Sequence, residues 1–166
     1  MRKLIAIATC ALAAAALPTL AAAGAVHFSE TFVDEPANWF MGGFPCDGGP
    51  AGAAGTGLES GTVQVTETPN GGGYVRVDIR GSVDLYELLG GDPENPQLGA
   101  YVATWTYKAH LEGQFLPGGR EVQGGVWSGP IVFSDGRSAI LKTSFHLLIG
   151  PDGPTLFFAK PACGGE

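Results

Sequence analysis

The amino-acid sequence predicts an all-β fold, and three observations carry the prediction. The chain holds 27 Gly and 12 Pro in 166 residues, a composition that punctuates turns and weakens helix interiors. Residues 74–80, 101–112 and 138–149 alternate apolar and polar side chains with a period of two, the pattern of half-buried strands. Beyond the first 25 residues, no stretch repeats its apolar side chains at the 3.6-residue spacing of an amphipathic helix. A hydrophobic content of 45% is that of a globular chain, so a core can form.

Taken in order, residues 1–25 predict a signal peptide. Met1-Arg2-Lys3 is a basic start, Leu4 to Ala16 is apolar, and Pro18 precedes the small residues Ala21 to Ala25, which places cleavage after Ala23 or Ala25. The apolar run falls short of the roughly 20 residues that span a bilayer. Cys10 is simply part of this leader. The mature protein is expected in a periplasm or outside the cell, with no membrane association after cleavage. Residues 26–166 are the length of one ordinary domain.

Val26 to Val33 reads as a first strand, interrupted by Glu30. Residues 41–61 then carry eight Gly and two Pro around Cys46 and are expected to form a long Gly-rich loop, of the kind that is often functional. Residues 62–80 are the clearest hairpin: Val63 and Val65 alternate with polar neighbours, Thr68 to Gly73 turns the chain, and Val75, Val77 and Ile79 share a face. Residues 83–89 add a strand and residues 90–99, with Pro93 and Pro96, a loop. Tyr101 to Glu112 is a long strand of about 40 Å at the usual rise. Strands at 120–127, 130–134, 138–149 and 155–160 follow, divided by Pro117-Gly118-Gly119, by Asp135-Gly136 and by Gly150-Pro151-Asp152-Gly153. Eight or nine short-spaced strands suggest an antiparallel β-barrel with lipocalin-like up-and-down closure, or a two-sheet β-sandwich. The two long strands suit the tilt of a barrel.

Two cysteines remain once the leader is removed, Cys46 and Cys163, and an exported chain meets oxidising conditions. A disulfide between them is expected, and so long a closed loop removes about 4 to 5 kcal/mol of unfolded-chain entropy on the simple model. A thiol metal or redox site would use close C-x-x-C spacing, which is missing here.

Without Arg2 and Lys3, seven basic residues face sixteen acidic ones. The basic residues are scattered singly along the chain, so nucleic acid is a poor partner. Anionic membranes are disfavoured for the same reason. A small molecule, a glycan or a protein stays open as the partner.

The segment SFHLLIGPDGPTLFFAKPAC, residues 144–163, together with the early Cys46, resembles small, exported, uncharacterised bacterial β-barrel proteins that finish in a strand, a PDG-type turn, a strand and a cysteine. The resemblance implies architecture and export, and no reaction.

Candidate chemistry sits on the polar face of residues 101–112, where Thr104, Thr106, Lys108, His110 and Glu112 share a side, beside Lys142, Ser144 and His146 if the two long strands are neighbours. His110 and Glu112 are the candidate catalytic pair, because an imidazole exchanges protons near neutrality and a carboxylate can steer it. A solvated outer sheet face is the plainer expectation for the same residues. His27, His110 and His146 lack metal-ligand spacing and no cofactor motif occurs, so neither metal nor cofactor is expected. No nucleophile elbow or phosphate loop is present. Among the aromatics, Trp105, Tyr101 and Tyr107 belong to an apolar strand face and are expected in the core. Trp39, Trp127 and His146 are the candidate binding residues. The sequence thus favours a binding or interaction module, with an isomerase, cyclase or hydrolase and a ligand-free structural surface protein as the alternatives.

Overall fold

The computed structural model describes residues 25–164, apart from 93–94, 118–119 and 151–152; the leader expected at 1–25 lies almost wholly outside the described residues. The fold is all-β. Seven strands, β1 (Val26–Met41), β2 (Ala53–Glu67), β3 (Gly73–Asp92), β4 (Asn95–Leu116), β5 (Arg120–Phe133), β6 (Ser138–Gly150) and β7 (Gly153–Gly164), form one antiparallel sheet. Their spatial order is their sequence order, so each strand pairs with its neighbours along the chain.

Turn chemistry sets the registers. Gly71 takes φ 78° in the β2–β3 turn and Gly136 takes φ 85° between β5 and β6, a region closed to most side chains. At the second turn the Gly136 N–H donates to the Phe133 carbonyl at 3.0 Å, and Asp135 Oδ1 accepts the Arg137 N–H at 3.1 Å.

Cross-strand pairs share a face, and the registers sort the chain into two. The inner face carries Ala37 and Trp39 of β1, Ile79, Val83 and Leu85 of β3, Ala103, Trp105, Tyr107 and Ala109 of β4, Trp127, Ile131 and Phe133 of β5, and Leu141 and Phe145 of β6. The sheet is strongly curled. In a flat sheet β1 and β5 would stand about 19 Å apart at the usual strand spacing. Instead the Trp39 ring centroid lies 5.5 Å from that of Trp127 and 4.8 Å from that of Trp105. Small residues on the inner face make this bend possible: a Cβ on Gly55 would overlap the Asp84 carbonyl, and one on Gly129 the Thr106 carbonyl.

One end of the curl is strapped. Residues 42–52 leave β1 and cross to the far side, where Phe44 stacks edge-on against Phe133 at 6.2 Å and Arg137 Nη1 donates to the Asp47 carbonyl at 3.3 Å. Cys46 is disulfide-bonded to Cys163 of β7, with the two Cα atoms 4.9 Å apart. The bond therefore ties the segment after one edge strand to the other edge strand. The best-buried side chains, Leu85, Trp105, Ile131 and Leu141, lie towards this end.

Several expectations are corrected. The sheet has seven strands rather than eight or nine, because 74–80 runs on into 83–89 through Gly81, and 120–127 into 130–134 through Gly129. Glycine here marks curvature within a strand and not its end. The second half of the expected loop 41–61 is the first part of β2, and the expected loop 90–99 is mostly paired strand with irregular register. There is one sheet rather than the two of a sandwich, and among the described residues β1 and β7 do not pair, so the sheet is not closed into a barrel.

Candidate functional site

The inner face holds the aromatic candidates. Trp39 packs edge-on against Trp105, Tyr107 and Trp127, and its Nε1 donates to Tyr107 Oη at 2.9 Å. Tyr107 Oη in turn donates to Glu59 of β2. Burial, and then this carboxylate, push the Tyr107 phenol well above its ordinary value, so it stays neutral and acts as a relay of hydrogen bonds. Trp39 and Trp127 are thus brought together, as parts of a filled centre.

Below that centre, away from the strap, the inner face continues. Val63, Val65, Val75, Leu111 and Leu147 are each partly exposed, and Phe28 and Val26 of β1 are 53% and 50% exposed. Ile79, Trp127 and Phe145 form the floor where this half meets the packed centre.

The outer face carries the acid–base candidates. His110 and Glu112 do meet: His110 Nε2 lies 2.9 Å from Glu112 Oε1, and Nδ1 lies 2.7 Å from Asp78 Oδ1 on β3. Arg76 Nε donates to the other oxygen of Asp78 at 2.8 Å. The Asp78 carboxylate, and then Glu112, raise His110 above the ordinary imidazole value. Arg76 and then His110 lower Asp78, and the Tyr74 hydroxyl and then His110 lower Glu112. A carboxylate at each ring nitrogen favours the doubly donating imidazolium over the neutral ring. All three side chains are about half exposed.

His146 shares a register row with Glu112 but stands two strands away, with Gly124 between them. It therefore lies on the opposite face from Trp39 and Trp127, and the three candidate binding residues do not converge. Among the described residues, no three His, Cys, Asp or Glu side chains group as a metal site.

A groove of about 610 Å³ crosses the outer face over β1–β5, floored by the backbone around Phe32, Gly61, Ile79 and Ala109. One wall is the row Thr31, Thr62, Asp78, His110 and Val126; the other is Val33, Ser60, Arg80 and Lys108. A bulge shapes its β1 end. Asp34 takes φ 55° and is held by Ser60 Oγ, which accepts the Asp34 N–H at 2.9 Å and donates to its carboxylate at 3.3 Å. The alternation of residues 101–112 placed His110, Glu112 and Lys108 on one polar face but gave no sign of Asp78 or Arg80 as their companions, because only the register brings β3 beside them. No family model, no curated protein and no solved structure matches the chain.

Proposed function

We propose that this is an exported binding module that holds an apolar ligand in the open half of its inner face, working as an open counterpart of a ligand-binding β-barrel. The observation that carries the reading is the half-exposed Phe28 and Val26 together with the partly exposed valines of β2 and β3, which extend the apolar lining past the packed centre. Apolar side chains left facing water on a concave surface are a cost unless something covers them. Export is part of the proposal, resting on the leader at 1–25, and the Cys46–Cys163 bond supports an oxidising setting.

The aromatic centre also favours a second reading, a ligand-free structural protein, since Trp39, Trp105, Tyr107 and Trp127 fill the middle of the curl. Titration of the mature protein with fatty acids of increasing chain length, followed by tryptophan emission, separates the two. Saturable, chain-length-dependent change that Phe28→Asp abolishes supports binding; no change at any length supports the structural reading.

A further inference from the structure

Five of the seven basic residues of the mature chain, Arg76, Arg80, Lys108, Lys142 and Lys160, project from the outer face, where the register gathers what the sequence scatters. Arg80 and Lys108 are directly paired across β3 and β4. Like charges opposite one another destabilise a sheet. Neither forms an ion pair or a hydrogen bond among the described residues; the nearby carboxylates Asp78 and Glu112 are engaged by Arg76 and His110. In a chain with 16 acidic and 9 basic residues, this pair stands without a counter-charge among the described residues and forms part of one wall of the groove. The same row continues through Ser128 to Lys142 on β6.

We propose that this groove is a separate binding site for an acidic saccharide chain, whose carboxylates pair with Arg80 and Lys108 and reach towards Lys142. The row spaces its positions by about 4.8 Å per strand, a repeat comparable to that of successive sugar units. The hydroxyls of Thr31, Ser60 and Thr62 lie along the groove for the sugar hydroxyls. No aromatic side chain points outward into the groove to stack on bases, and the net charge opposes a long nucleic acid polyanion. Guanidinium suits the planar carboxylate, and the ammonium serves as a second point charge. This site is independent of the apolar one on the inner face.

The test is calorimetric titration of the mature protein, at low salt, with a hexamer of galacturonate, its methyl-esterified neutral form, and inorganic sulfate. The acidic hexamer is expected to bind, the ester to bind at least tenfold more weakly, and sulfate alone more weakly still. Arg80→Gln and Lys108→Gln, both exposed and checked for an unchanged circular dichroism spectrum, should each weaken hexamer binding several-fold and reduce its salt slope by about one counterion-equivalent. Phe28→Asp should leave it unchanged, which separates this site from the apolar one. No binding of the hexamer, equal binding of hexamer and ester, sulfate binding as tightly as the hexamer, or wild-type affinity in both variants would each overturn the proposal.

Discussion

The indole N–H of Trp39 reaches the hydroxyl of Tyr107 at 2.9 Å although β2 and β3 lie between their strands. That contact is possible only because the sheet folds over on itself, and it makes Tyr107 the point where β1, β4 and, through Glu59, β2 are joined by side chains. Tyr107→Phe keeps the ring packing and removes both hydrogen bonds. The half-buried indole N–H and the Glu59 carboxylate lose their partner, at a cost of about 1–3 kcal/mol. A denaturant midpoint equal to that of the wild type would show that the relay contributes nothing.

Reduction, or Cys46→Ser with Cys163→Ser, removes the covalent tie between the strap and β7. The loop closed by the bond spans 117 residues, and loss of such a bond costs about 2–5 kcal/mol. Thermal unfolding with and without reductant measures it, and identical curves would contradict the assignment of the strap as a stabilising element.

Gly129→Val places a side chain where the Thr106 carbonyl stands. Either β4 and β5 separate locally or the bend relaxes, and destabilisation of about 1–3 kcal/mol is expected, as for other overpacked sites. Gly136→Ala forces a side chain into a left-handed turn but meets nothing within 4 Å, so it should cost less than the valine. Equilibrium unfolding of both variants gives the ranking, and the reverse order would refute the account of curvature.

The outer network sets a pH dependence. His110 is raised in the folded state, so its contribution is complete below the ordinary imidazole value of about 6.5 and is lost as pH rises through the folded value. Asp78 and Glu112 are lowered, so theirs is complete above the ordinary carboxylate range of about 4 and is lost as pH falls through their folded values. The network is therefore strongest between those limits. Because the groups are about half exposed, the effect on stability is small, and the direct measurement is the proton NMR titration of the His110 ring. A midpoint at or below the free imidazole value would contradict the paired geometry, and Asp78→Asn should move the midpoint down.

The sequence was legible where alternation is unbroken. Residues 74–80 and 103–112 lie within β3 and β4 with the expected faces, the 62–80 hairpin has the expected turn, and Cys46 and Cys163 are paired; Tyr101, expected in the core, is instead 41% exposed, because a register shift after Leu85 sets it opposite Tyr86. The sequence was illegible where glycine replaces an inward side chain. Gly55 and Gly57 face Trp39 and Ala37 across β1 and β2, and a strand whose inner positions are bare reads as loop. The aromatic partner of Trp39 and the cation pair at Arg80 and Lys108 were hidden for a different reason. Both depend on which strands stand side by side and how far the sheet curls, and neither quantity is written in the local pattern.

Every strand docks on its predecessor in the chain, so the sheet can assemble hairpin by hairpin as the polypeptide is synthesised, with mostly short loops to close. Cys46 is made early, but its partner, Cys163, lies in β7, the last strand of the sheet. Oxidation must wait for the final hairpin, so the bond acts as a completion seal on the strap; the outermost strands β1 and β7 keep an unpaired backbone row even with it in place, a template on which other copies would join unless it is covered.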